Sequence, residues 1–152
     1  MADANVELTR RWFEEVWNQK KTATIHELMD TQCVSHNTSD TGDVLRGPAA
    51  FCELQKKLLD AFPDMRITVE EAFGAGDIVA ARWSATMHHK GEGLGMPPTG
   101  AAIAITGMSM ARIRNGKIVE NWDEWDKLGM FQTIEAARQK RQMDRKVKYS
   151  LM

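Results

Sequence analysis

Cysteine is scarce: Cys33 and Cys52 are the only two in 152 residues. Without a second pair or a histidine at ligand spacing they exclude a disulfide framework and a zinc site, and they read as buried thiols of a reducing compartment. No metal site is expected. An excess of either charge is missing too. Twenty basic side chains oppose 21 acidic ones, net −1, so no global field draws the chain to nucleic acid or to a membrane surface. No apolar run approaches a membrane span, and the N-terminus carries Asp3, Asn5 and Glu7 where a leader would carry basic residues and an apolar core, so the expected setting is cytoplasmic. Proline occurs four times, at 48, 63, 97 and 98, and punctuates segments without interrupting them. At 43% hydrophobic content, the chain can build one well-packed domain.

The first half is periodic in the helical sense. Leu8, Trp12, Phe13, Val16 and Trp17 form an aromatic stripe behind Asp3, which can cap the helix, and Ile25, Leu28 and Met29 mark a second, short helix. Gln32 to Asn37 reads as a short strand, and Thr38 to Arg46 as a loop. Gly47-Pro48 starts a third helix with Phe51, Leu54, Leu58, Leu59 and Phe62 inward, until Pro63 stops it. From Met65 the period becomes two. A strand there turns at Gly74 to Asp77 into a second, Ile78 to His89, with small or apolar residues on both faces. Lys90 to Gly100, with its glycines and Pro97-Pro98, is an exposed connection or a lid. A further strand from about Ala101 to Arg114 meets Asn115-Gly116, the strongest hairpin signal in the sequence. After Gly129 the chain reads as a helix that turns basic from Arg138. Residues 1–132 are therefore expected to form the domain, and 133–152 a basic C-terminal helix or tail.

The strand after that hairpin, Lys117 to Asp126, combines four carboxylates with two tryptophans, an inventory that suits a wall partly buried and partly wet. Strict alternation groups Ile118, Glu120, Trp122, Glu124 and Asp126 on one face, and Val119, Asn121, Asp123 and Trp125 on the other. A two-residue turn then pairs Ile113 with Ile118, Ala111 with Glu120, Ser109 with Trp122 and Ile105 with Asp126. On that register Trp122 and Asp126 share a face with Ser109 and Gly107, and an acid beside an indole is the leading candidate for proton transfer. The competing use of Asp126 is a helix N-cap. Asp123 and Glu124 are candidates for the pocket rim, and His36 for a base with Asn37 beside it. His89 could meet a substrate near the Gly93 to Gly100 loop. Trp17 could contact one, although indoles on such helices more often pack a core. Arg82, inside an apolar strand, needs a carboxylate, with Glu120 or Asp123 within expected reach.

Phe13-Glu14-Glu15-Val16-Trp17-Asn18, Ser35-His36-Asn37, Gly47-Pro48, Ala61-Phe62-Pro63-Asp64, Arg82-Trp83-Ser84-Ala85-Thr86, Met96-Pro97-Pro98-Thr99-Gly100 and Asn121 to Gly129 together resemble the SnoaL-like polyketide cyclase family of the NTF2-like superfamily, over roughly Leu8 to Gln132. The resemblance implies an α+β cone: three N-terminal helices against a strongly curved, mostly antiparallel sheet around a pocket, with homodimers formed through the sheet's outer face. It implies ring closure of an aromatic polyketide ester by intramolecular aldol condensation, with an aspartate as general acid/base and no metal or organic cofactor. Asp126 matches that aspartate and His36 a pocket histidine, with Trp122, Glu124, Asp123, Asn37, Arg82, His89 and Trp17 as substrate contacts. The assisting histidines of those cyclases lie on the strand where this chain offers Met108, Ser109 and Met110. Limonene-epoxide-hydrolase-like enzymes of the superfamily use an Arg-x-Asp pair, and Arg82-Trp83-Ser84 puts serine where that aspartate belongs. Two further readings are a ligand-binding dimer without catalysis and an interaction protein that uses the basic segment.

Overall fold

The computed structural model describes residues 2–151, beginning with helix α1 (Ala2–Trp12). Its axis continues as a π-helical segment, Phe13–Asn18, whose wider turn keeps Phe13, Val16 and Trp17 buried. Asn18 ends it by acting as a piece of strand: its side chain donates to Ile67 O at 2.8 Å and accepts from Ile67 N at 2.7 Å. Helix α2 (Thr22–Leu28) follows, then strand β1 (Met29–His36) and a two-residue strand β2 (Leu45–Arg46) inside the segment expected to be all loop. Short pairing with Val34 and Ser35 forms β2, and two residues carry no readable period.

Helix α3 (Gly47–Ala61) has Pro48 in its first turn and buries Phe51, Leu54, Leu58 and Ala61. Gly47 has a φ of +79°, and a Cβ there would sit 3.0 Å from Thr31 O, so no other residue fits without strain. Strands β3 (Arg66–Ala75), β4 (Ile78–His88), β5 (Ala102–Arg114) and β6 (Lys117–Trp125) complete the sheet, and helix α4 (Lys127–Ser150) closes the chain, running unbroken past residue 132. The strand order is β2-β1-β6-β5-β4-β3, with β1 parallel to β6 and every other pair antiparallel. This is the expected α+β architecture, three N-terminal helices on a mostly antiparallel sheet.

Asn115 and Gly116, with φ of 52° and 72°, make the tight turn between β5 and β6. Ile113 then pairs with Ile118 as the turn dictates, but the next pair is Arg112 with Glu120, so Val119 is an extra residue. Such a bulge bends the strand and reverses the face of every residue beyond it. The register continues as Ala111 with Asn121, Met110 with Trp122, Ser109 with Asp123, Met108 with Glu124 and Gly107 with Trp125. This corrects the faces read from strict alternation: beyond Val119 the inner set is Asn121, Asp123 and Trp125. A second bulge, at Glu70, shifts β3 against β4.

The core lies between the inner sheet face and the helices, with Val16, Ile25, Phe51, Phe62, Val79, Met130 and Ile134 almost fully covered. Each side chain of this size contributes about 1.5–3 kcal/mol on burial. The outer face carries a cross-strand row of Phe73, Ala80, Met110, Trp122 and His36. Among the described residues no helix is long and apolar enough to cross a membrane.

Candidate functional site

Strict inward alternation on β4 and β5 places Trp83, Ala85, Met87 and Ile105 around a hollow that α1 closes with Trp12 and α4 with Met130. The cavity measures about 90 Å³. Apart from Thr9, whose hydroxyl donates back to Asn5 O at 2.9 Å, its wall is apolar except at one end, where Thr38, Ser109, Asn121 and Asp123 converge, and Asp123 is the one charged side chain among the described residues of the lining.

Three elements build that polar end. β5 supplies Ser109 and β6 supplies Asn121 and Asp123, brought inward by the Val119 bulge. The third is the segment after β1, where Asn37 takes a φ of +59° and turns Thr38 into the interior. Ser109 Oγ donates to Asp123 Oδ1, while Thr38 Oγ1 and Asn121 Nδ2 donate to Oδ2 at 2.5 and 3.0 Å. Asn121 is itself oriented, its Oδ1 accepting from Ser35 Oγ at 2.6 Å and from the Cys33 thiol at 3.7 Å.

Burial raises the Asp123 pKa and outweighs the three donors and the Lys127 charge, which lower it. Asp123 keeps some surface only because it faces the hollow. The geometry therefore provides a carboxyl of raised basicity, held in a fixed orientation at the wet end of an apolar chamber. Lys127, its pKa lowered chiefly by burial, reaches Asn37 Oδ1 at 2.5 Å and lies 5.5 Å from the Trp125 ring centroid. Burial also pushes the Cys33 thiol up to about 11, as befits an inert core cysteine. Cys52 is only partly buried, 3.5 Å from His26 Nε2, because it lies between the inner and outer faces of α3.

The residues singled out from sequence separate into two groups. Asp123 and Trp17 line the cavity, and Asn37 binds its rim by donating to Asp123 O at 2.9 Å and Glu124 Oε2 at 3.0 Å. Asp126 lies elsewhere: it is exposed and caps α4, accepting from Gly129 N at 2.8 Å, because the bulge sends the even-numbered side outward. His36 and Trp122 follow it to the outer face, where the rings stack at 5.6 Å and His36 Nε2 meets Glu120 Oε2 at 2.7 Å. Glu124 is exposed. Arg82 pairs with Glu71 at 2.8 Å, not with Glu120 or Asp123, since its partner strand on that side is β3. His89 is fully buried and accepts from Thr99 N at 3.2 Å, which ties down the connection before β5, and burial lowers its pKa. Thr38, Ser109 and Asn121 were not singled out as site residues in the sequence. Their one signal is polarity on strand faces that are otherwise apolar.

A family model, SnoaL-like polyketide cyclase, matches residues 7–134. The chain belongs to the SnoaL-like polyketide cyclase family. Similar family members include two aklanonic acid methyl ester cyclases of Streptomyces. That of Streptomyces peucetius, DnrD, is 28% identical over 130 residues, covering 85% of this chain and 89% of its own length. That of Streptomyces sp. strain C5, DauD, is 30% identical over 135 residues, with 85% and 80% covered. Among solved structures, IdmH, a polyketide cyclase candidate of Streptomyces antibioticus, superposes with a TM-score of 0.74 at 29% identity, covering 86% of this chain and 98% of that one. A SnoaL-like protein of Jannaschia sp. CCS1 gives 0.80 at 23% identity, with 89% and 94% covered, a likeness of fold.

Proposed function

We propose that this SnoaL-like chain is a cofactor-independent cyclase or isomerase of small hydrophobic, polyketide-like carbonyl compounds, with Asp123 as general acid/base. The observation that carries the reading is a single carboxylate, raised in basicity by burial and aimed by three donors, at the polar end of an aromatic chamber. The family and the two curated methyl ester cyclases support the reaction class. In an intramolecular aldol closure, a C–H bond alpha to a carbonyl breaks and its proton passes to Asp123. The enolate carbon bonds to a second carbonyl carbon, whose C=O π bond breaks, and the resulting alkoxide oxygen takes the proton back from Asp123. Substrate rings would lie against Trp12, Phe13 and Trp83. A multi-ring guest needs more than about 90 Å³, since ligand sites usually offer roughly 300–1,000 Å³. Met65, Met87 and Met130 in the wall are flexible enough to yield.

Exposed Phe73, Met108 and Met110 support pairing of two copies through the outer sheet face, in a cytoplasmic protein. The reaction is tested by incubating the purified protein with an aromatic polyketide methyl ester and following ring closure by mass spectrometry. Turnover that survives in Asp123→Asn would reject the assignment.

A second reading, a binding protein without turnover, is favoured by Ser109 standing where assisting histidines would be. Native mass spectrometry of protein from its own host separates the two. A retained, chemically unchanged guest supports binding alone.

A further inference from the structure

Trp83 and Ser109 are not cross-strand neighbours: Trp83 pairs with Gly107, and Ser109 with Ala81. The indole nevertheless reaches Ser109, with Nε1 donating to Oγ at 2.9 Å, because it lies over Gly107. A Cβ on Gly107 would stand 2.2 Å from Trp83 Cζ2, so any side chain there would displace the ring. The glycine thus opens a diagonal path between β4 and β5.

Proton counting gives that path a direction. An indole nitrogen only donates, and a hydroxyl has one proton. With one of its lone pairs engaged by Trp83, Ser109 directs its proton to Asp123 Oδ1, which can only accept while ionised. The other side is arranged alike. Ser35 holds the Asn121 carbonyl, so Nδ2 donates to Asp123 Oδ2 and to Thr38 Oγ1, the latter at 3.3 Å, and Thr38 passes its own proton to Oδ2. Every donor converges on the carboxylate, and a protonated Asp123 would have to displace one of them.

We propose that Trp83, seated across Gly107, is a positioning residue that fixes the Ser109 hydroxyl toward Asp123 and so favours the base form of the acid. The inference rests on the reading of Asp123 as the proton-transferring group. Lys127 is the charged group that bears on Asp123 from α4. β4 and β5 present Trp83 and Ser109, β1 presents the Cys33 thiol behind Asn121, and α1 and α3 present uncharged lining residues. On β6 itself, Glu120 and Glu124 belong to the outer set. Removing the indole N–H frees the hydroxyl to rotate, which withdraws a donor from the carboxylate and favours the protonated acid.

The test is a ¹³C-carboxyl NMR titration of Asp123 in the resting, full-length protein, comparing the parent with Trp83→Phe, Ser109→Ala and the double variant. Ser109→Ala should raise the midpoint by about one pH unit and Trp83→Phe by roughly half a unit. The double variant should rise no further than Ser109→Ala alone, since Trp83 acts through Ser109. If Trp83→Phe fails to fold, 3-benzothienylalanine at position 83, with sulfur in place of N–H, is titrated instead. An unmoved midpoint in the position-83 variant, or a double variant equal to the sum, overturns the proposal. In an active enzyme the acid limb of the kcat/KM profile moves upward with the midpoint. An inactive parent would refute the proposed function and leave the titration outcome standing.

Discussion

The two faces of β6 carry almost the same chemistry and meet opposite surroundings. Inside, Asp123 sits beside Trp125 among Ser109, Thr38 and Asn121, and burial raises its pKa. Outside, Glu120 meets His36, both about one-third exposed in their side chains, and His36 stacks on Trp122. Composition does not distinguish the two groups. Access to water does, and Val119 decides which acid is kept from it.

The comparison breaks most completely on Asn121→Glu. It sets a second acid on the inner face beside Asp123, where no cation stands among the described residues of the lining, and an unpaired buried charge costs about 3–5 kcal/mol in a fold of about 5–15 kcal/mol in total. Loss of a cooperative urea transition is expected. Next comes Asp123→Asn, which should lower turnover on the order of 10²- to 10⁴-fold, while Asp126→Asn, which keeps a cap, stays near the parent. Steady-state rates compare the two directly, and equal losses would erase the distinction between the faces.

The third effect is on pH and stability. A carboxyl whose folded pKa lies above its unfolded value binds its proton more tightly when folded, so its stabilising contribution is present below the ordinary carboxylate range and lost as pH rises through the raised value. Urea midpoints of the parent should therefore fall relative to Asp123→Asn over that window, the site trading stability for basicity. Asp126→Ala should cost about 1 kcal/mol through the lost cap of α4, read from the same denaturation curves. His36→Ala, at a pair about one-third exposed, should stay within about 1 kcal/mol and leave activity unchanged.

Much of the fold was legible because its signals are local. Gly47-Pro48, Pro63 and Asn115-Gly116 mark boundaries through backbone chemistry that tertiary contacts do not override. The family motifs supplied the cone. Which acid faces the hollow was not legible, because Val119 is an ordinary β-former, and nothing in its chemistry announces that it stands outside the ladder. Ile118 and Val119 in succession were the one trace, two apolar residues where alternation calls for one. His36 was misplaced for the same reason, since β1 takes its facing from its parallel partner β6. Thr38 was hidden by the left-handed turn at Asn37, a conformation a loop reading leaves open.

One consequence concerns how such strands drift over time. A substitution at Asp123 alters a single group, whereas drawing Val119 into the ladder at unchanged length exchanges the entire wet and dry inventories of the strand at a stroke. The presence or absence of this bulge therefore matters more than mismatches when related chains are aligned, and a carboxylate that matches by column can still stand on the wrong side of the wall.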